Sequence, residues 1–163
     1  KGTTFKVYLP RVEEKAEKPV LLSRTTEMPG GKETILLVED EEIVRHLAIK
    51  VLKRLGYQVL HADSGGDALA LAEQYREPIH LLLTDVVMPV MNGRQLAERM
   101  LKIHPEAKVL FTSGYTENII VHHGVIDEGV RFISKPYSPG DLAKIIRRTL
   151  DGATGPMTPR SSD

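Results

Sequence analysis

The amino-acid sequence predicts an α/β fold, a three-layer sandwich in which one parallel five-stranded sheet lies between two layers of helices. Three observations lead there. Short apolar runs recur five times after Thr34, and stretches of helical period separate them. The runs are apolar throughout instead of alternating, which implies strands buried on both faces. Right-handed crossovers between such strands put helices on both sides of the sheet.

The elements follow in order. Thr3 to Leu9 alternates like a strand and ends at Pro10, but one strand without a partner is not a domain. Residues 13–19 (EEKAEKP) are charged, and Met28-Pro29-Gly30-Gly31-Lys32 is rich in turn formers, so residues 13–32 are expected to be a linker and the domain to start near Glu33. The five strands are expected at Ile35 to Val38, Tyr57 to Leu60, Ile79 to Leu83, Val109 to Phe111 and Val130 to Ile133. In the first helix, Ile43, Val44, Leu47, Val51 and Leu55 share a face. Ser64 or Gly65 starts the second helix and Asn92 caps the third. A short helix is expected after Tyr115, ending near Asp127. Leu142, Ile145, Ile146 and Leu150 line the last helix, so the domain closes near Asp151. Residues 152–163 (GATGPMTPRSSD) have no core-forming pattern, are expected to be disordered, and are too few for a helix-turn-helix.

Composition narrows the functional classes. The chain has 163 residues, room for one domain and some flanking sequence. Lys plus Arg and Asp plus Glu both number 22, and this zero net charge argues against a dedicated nucleic-acid binder. The balance is uneven locally: residues 1–32 carry seven basic and four acidic side chains, and residues 33–163 carry fifteen and eighteen. With no cysteine, disulfides, thiolate metal sites and a cysteine nucleophile are excluded. No apolar run approaches the roughly 18 residues that span a bilayer, so no membrane contact by this segment is expected and a cytoplasmic setting fits. The first residue is Lys1, which suggests a piece of something longer.

In an open parallel sheet the site lies outside the carboxyl ends of the strands. Glu39 and Asp40 follow the first strand, Asp85 the third, Thr112 and Ser113 the fourth, and Lys135-Pro136 the fifth. Three converging carboxylates repel one another unless a cation lies between them. All-oxygen ligation suits Mg2+, with Mn2+ as a second choice. A hydroxyl and a lysine across the same pocket supply the donor and the point charge that a phosphoryl group needs. Each piece alone has a plainer reading: the acidic pair as a helix N-cap, Lys-Pro as a turn, Thr112-Ser113-Gly114 as a polar loop. The combination, in this order along the chain, favours a site that holds a phosphoryl group on a carboxylate.

The stretches Ile35-Leu-Leu-Val-Glu39-Asp40-Glu41, Thr84-Asp85-Val-Val-Met88-Pro89-Val-Met-Asn92-Gly93, Thr112-Ser-Gly-Tyr and Phe132-Ile-Ser-Lys135-Pro136-Tyr137 closely resemble the receiver domain of two-component response regulators. The resemblance covers residues 33–151. It implies a flavodoxin-like (βα)5 fold with strand order 2-1-3-4-5 and a Lys-Pro peptide that is typically cis. Carried over position by position, it implies Asp85 as the phosphoacceptor and a metal ligand, and Asp40 as a direct Mg2+ ligand. Glu39 would act on the metal through water, and the backbone carbonyl of Val87 would complete the protein's share. Thr112 would bond the phosphoryl oxygens, Lys135 would pair with the phosphoryl group, and Phe132 would change rotamer with Thr112. The implied donor is the phosphohistidine of a histidine kinase dimerisation domain, with a histidine phosphotransfer protein as a further partner.

The first ten residues, Lys1-Gly-Thr-Thr-Phe-Lys-Val-Tyr-Leu-Pro10, resemble the last strand of a histidine kinase ATP-binding domain, so that residues 1–12 would be its tail. A kinase tail, a linker and a receiver in this order imply the C-terminal part of a hybrid histidine kinase. Lacking the rest of the nucleotide-binding domain, the segment is expected to have no kinase activity of its own.

Rival readings are weaker. A haloacid-dehalogenase-like phosphatase wants a second acid two residues after its nucleophile, where this chain has Val87. A flavodoxin-like redox module wants a phosphate loop where Glu39-Asp40-Glu41-Glu42 stands. A pseudo-receiver that only docks is expected to lack some of Asp40, Asp85, Thr112 or Lys135, and all are present. Among six histidines, His46 lacks the acid and proline that follow a donor histidine and is expected to face solvent. His122 and His123 are adjacent and would diverge by about 100° on a helix, which argues against a shared metal. The receiver resemblance implies that the residues two after the phosphoacceptor and two after Thr112 orient a hydrolytic water; here these are Val87 and Gly114, and neither side chain can hydrogen-bond one.

Overall fold

The computed structural model describes residues 2–6, 28–114 and 131–152. The helix expected after Tyr115, with His122 and His123, lies outside the described residues, as do residues 7–27 and 153–163. Five strands, β1 (Thr34–Val38), β2 (Gln58–Ala62), β3 (Leu81–Asp85), β4 (Lys108–Ser113) and β5 (Arg131–Ser134), form one sheet in the order β2-β1-β3-β4-β5. All four pairings are parallel. The described helices are α1 (Glu42–Arg54), α2 (Gly65–Gln74), α3 (Gly93–Ile103) and α4 (Pro139–Leu150).

Because successive side chains of a strand point to opposite faces, the central strands feed two cores. Ile35, Leu37, Leu81 and Leu83 pack with Ala48, Ile49 and Leu52 of α1 and Leu142 and Ile146 of α4. Leu36, Val38 and Leu82 pack on the other face with Ala68 of α2 and Leu96 and Met100 of α3. This two-sided burial is why the runs read as continuously apolar.

The structure shifts several boundaries. β2 starts at Gln58 and runs to Ala62, because Tyr57 instead caps the turn after α1 and sits in the core. That turn needs Gly56, whose φ of 93° is in the left-handed region. β3 starts at Leu81, since Ile79 buries itself before the ladder begins. The first helix buries a face rotated from the one expected, with Leu55 and the partly buried Val51 common to both. Ala48, Ile49, Leu52 and Leu55 are buried, while Ile43 and Leu47 are 78% and 62% exposed. Both sets recur at helical spacing, and the neighbouring strands select the one that reaches the sheet. Ser64 and Asn92 cap α2 and α3 as expected, each accepting a hydrogen bond from a backbone amide three residues on. Gly2 to Lys6 are exposed and carry no strand, as a segment without a neighbouring strand should. His46 is exposed, as expected.

The end of the sheet away from the strands' carboxyl termini is tied by ion pairs. The Arg147 guanidinium contacts Glu33 Oε1 at 2.7 Å and Asp151 Oδ1 at 2.7 Å. Lys108 Nζ donates to the Leu150 carbonyl at 2.8 Å. Gly31 N–H donates to the Leu55 carbonyl at 3.1 Å, so the chain is fastened before β1 begins.

Candidate functional site

Register sets the site. Asp85 pairs with Thr112 across β3 and β4, and Val38 pairs with Thr84 across β1 and β3. Glu39 and Asp40 therefore emerge from β1 beside Asp85, and Lys135 follows the end of β5. The Lys135-Pro136 peptide is cis.

Carboxylate oxygens of Glu39, Asp40 and Asp85 all lie within 4.8 Å of one another. Lys135 Nζ donates to Glu39 Oε2 at 2.6 Å and to Asp85 Oδ2 at 2.7 Å. The other oxygen of Asp85, Oδ1, accepts from the Val87 amide at 3.3 Å. Burial works to lower the pKa of Lys135, but its bonds to the two carboxylates outweigh burial and hold the ammonium above its ordinary value. Burial raises the Glu39 carboxyl, and the opposing pull of Lys135 does not cancel it. The short geometry makes the ion pair the state at neutral pH, with Glu39 the side that yields as the pH falls.

Thr112 is 2% exposed, and its hydroxyl oxygen has no hydrogen-bond partner among the described residues. A buried hydroxyl left unpaired costs about 1–3 kcal/mol, so its retention beside Asp85 suits a group that arrives from outside. Phe132 lies on β5 with its ring centroid 6.3 Å from that of Phe111. Val87 is on the exposed rim, and no described residue lies near the point where a Gly114 side chain would begin. Thus the structure brings Glu39, Asp40, Asp85, Thr112 and Lys135 together at the strand ends.

The donor set fits a hard divalent cation. All three carboxylates offer oxygen, and their burial grades from buried Glu39 through half-buried Asp85 to exposed Asp40, leaving one side open to the waters that Mg2+ retains. Sequence reasoning missed Arg45. Its guanidinium donates from Nη1 to the Glu39 carbonyl at 2.7 Å and to the Asp40 carbonyl at 3.2 Å. Backbone acceptors leave no residue pair to read, and the available signal is a basic residue in the second turn of a helix, whose side chain leans back toward the N-terminus.

Residues 35–147 match the response regulator receiver domain family. The chain belongs to that family. Among curated relatives, the receiver is similar to the sensor kinase CckA of Brucella abortus (strain 2308), 38% identical over 159 residues. That alignment covers 93% of this chain and 17% of the kinase, so the chain spans about a sixth of that relative's length. The response regulator receiver protein CpdR of the same organism is 36% identical over 119 residues, covering 73% of this chain and 98% of CpdR. Among solved structures, the receiver domain from the hybrid histidine kinase CckA matches at 37% identity with a TM-score of 0.62, covering 72% of this chain and 98% of that one. A receiver domain from Methanospirillum hungatei JF-1 matches at 31% identity with a TM-score of 0.64, covering 75% and 96%. The receiver's role in two-component signalling follows from the family, and receivers generally bind Mg2+ at such an acidic cluster and take phosphoryl groups from histidine kinases or phosphotransfer proteins. Among the described residues, no helix is long and apolar enough to cross a membrane.

Proposed function

We propose that Asp85 accepts a phosphoryl group from a phosphohistidine. The observation that carries this reading is the Asp85 carboxylate itself, held at one oxygen by Lys135 and clustered with Glu39 and Asp40. A carboxylate oxygen of Asp85 attacks phosphorus, the P–N bond of the phosphoimidazole breaks, and its electron pair stays with the imidazole nitrogen. Lys135 balances charge on the incoming phosphoryl oxygens, and the Thr112 hydroxyl donates to one of them. Asp40 and Asp85 would hold Mg2+ directly, with the Val87 carbonyl as a further ligand and Glu39 acting through water. The bound cation would neutralise phosphoryl charge during transfer. Movement of Thr112 toward the phosphoryl group vacates space for Phe132, which turns inward and alters the surface around β5.

The chain reads as the C-terminal part of a hybrid histidine kinase, with residues 1–12 as the tail of the ATP-binding domain, 13–32 as linker and 33–151 as receiver. Its alignment with the Brucella kinase extends beyond the receiver's share of the chain, which supports this order. The setting is cytoplasmic, where a kinase dimerisation domain or a histidine phosphotransfer protein supplies or removes the phosphoryl group.

Incubation with Mg2+ and a small-molecule phosphodonor, followed by mass mapping of acid-labile phosphate, tests the assignment. Label should appear on Asp85 alone and vanish in Asp85→Asn. Label that persists in that variant, or that forms equally well in excess chelator, overturns it.

A further inference from the structure

We infer that Arg45 is a positioning residue for the Glu39–Asp40 pair, acting by clamping the two backbone carbonyls of the loop that presents them. The inference rests on the reading of these acids as the Mg2+ site.

α1 differs from the other described helices at its start. α2, α3 and α4 begin with Ser64, Asn92 and Ser138, whose side chains accept from backbone amides of the first turn. Glu41, at the corresponding position of α1, makes no side-chain cap bond. The loop from β1 into α1 thus lacks the device that fixes the others, and it carries two of the three clustered carboxylates. Arg45 supplies a fastening from inside the helix. Its Nη1 reaches back to the Glu39 carbonyl at 2.7 Å and the Asp40 carbonyl at 3.2 Å. On the β2 side, the Glu39 amide donates to the Ala62 carbonyl at 3.3 Å.

Fixing a carbonyl fixes its whole peptide plane, because the plane is rigid. Holding the carbonyls of Glu39 and Asp40 sets the two planes on either side of the Asp40 Cα, and so the direction in which its side chain leaves the backbone. Glu39 is held on both sides, by Ala62 through its amide and by Arg45 through its carbonyl. An exposed carboxylate such as Asp40, with freely rotating neighbours, would lose entropy on taking up a metal ligand's geometry. With the loop clamped, much of that ordering is in place beforehand.

Charge and positioning predict opposite signs. A cation near three carboxylates opposes binding of a second cation, so if Arg45 acts only through charge, its removal tightens Mg2+. If it positions the loop, its removal weakens Mg2+. Calorimetric titration of the whole chain with Mg2+ alone should give about tenfold weaker binding in Arg45→Met. Arg45→Lys keeps the charge on a shorter stem with a more strongly hydrated head, and should fall between parent and Met variant. In metal-free protein, the Glu39 amide should exchange faster in Arg45→Met than in the parent.

Unchanged or tighter Mg2+ binding in Arg45→Met, with parental binding intact, overturns the inference. So does Lys binding as tightly as Arg. Failure of the parent itself to bind Mg2+ removes the metal-site reading. In that event the Glu39 amide decides the clamp on its own, and unchanged exchange removes it too. Should Arg45→Met not fold, the comparison of Arg45→Lys with the parent carries the test.

Discussion

Replacing Lys135 by methionine keeps most of the stem and deletes the ammonium that two carboxylates share. The Glu39 and Asp85 side chains are only 4% and 14% exposed, and each lies within hydrogen-bond distance of Nζ, at 2.6 and 2.7 Å. Removing one partner of a buried ion pair costs about 3–5 kcal/mol. The site is open on the Asp40 side, where water can reach the stranded charges, so the lower end, about 3 kcal/mol, applies at pH 7 without Mg2+. For a unit of this size that lowers Tm by roughly 10 °C. The loss depends on pH with a definite sign. Glu39 has a folded-state pKa above the ordinary 4.5, so its contribution is complete below that value and is lost as the pH rises through the folded value. Without Lys135 that folded value climbs further, and the deficit of the variant grows as the pH rises above the ordinary 4.5. Lys135 in the parent also has a raised pKa, so its stabilisation is full below the ordinary 10.5 and fades as the pH rises through the folded value. Mg2+ at a hundred times its Kd returns about 2.7 kcal/mol to a protein that binds it only when folded. Urea unfolding followed by far-ultraviolet circular dichroism, at pH 5 and 7 with and without Mg2+, measures all four corners. A deficit identical in every corner would refute the reasoning, because the loss would then have nothing to do with clustered carboxylates.

Gly93→Ala puts a methyl group against the Asp85 carbonyl oxygen, inside van der Waals contact, and 3.2 Å from Thr84 Cγ2; urea unfolding should show a loss of about 1–3 kcal/mol. Gly66→Ala, with open space around the second residue of α2, should instead gain about 0.5–1 kcal/mol, and equal effects of the two would discredit the steric account. Val90 holds φ of 66° with a β-branched side chain in solvent, so Val90→Gly should raise the urea midpoint by the equivalent of about 1 kcal/mol, and a lowered midpoint would show that the left-handed turn costs little. Val87→Asn with Gly114→Glu should speed loss of phosphate from Asp85 at saturating Mg2+ by supplying groups that orient water, whereas an unchanged decay rate would show that those positions do not govern the lifetime.

Much of the fold is legible in the sequence because the sheet is buried on both faces. Leu81, Leu82 and Leu83 have no solvent-facing position to break the run, and strands of that kind announce themselves. The site is legible for a related reason: Asp85, Thr112 and Lys135 are polar residues at the ends of apolar runs, where a parallel sheet opens. The first helix was harder, since Ile43 and Leu47 repeat with the same period as Ala48, Ile49 and Leu52, and only the tertiary contacts choose between them. The double contact of Lys135 was also beyond the sequence, which assigns it to a phosphoryl group and carries no sign of its bond to Glu39 across 96 residues. Arg45 was invisible because it addresses carbonyl oxygens, which every residue has.

The Arg147 guanidinium grips Glu33, just before the first strand, and Asp151, just past the last helix. Glu33 and Asp151 are thus neighbours in space, at the far end of the sheet from Asp85. A unit with adjoining ends can be spliced into a surface loop of an unrelated host with little distortion of either. Carried that way, the receiver would stand on its host like a plug on its socket, its acidic mouth outward and as reachable as in its own chain.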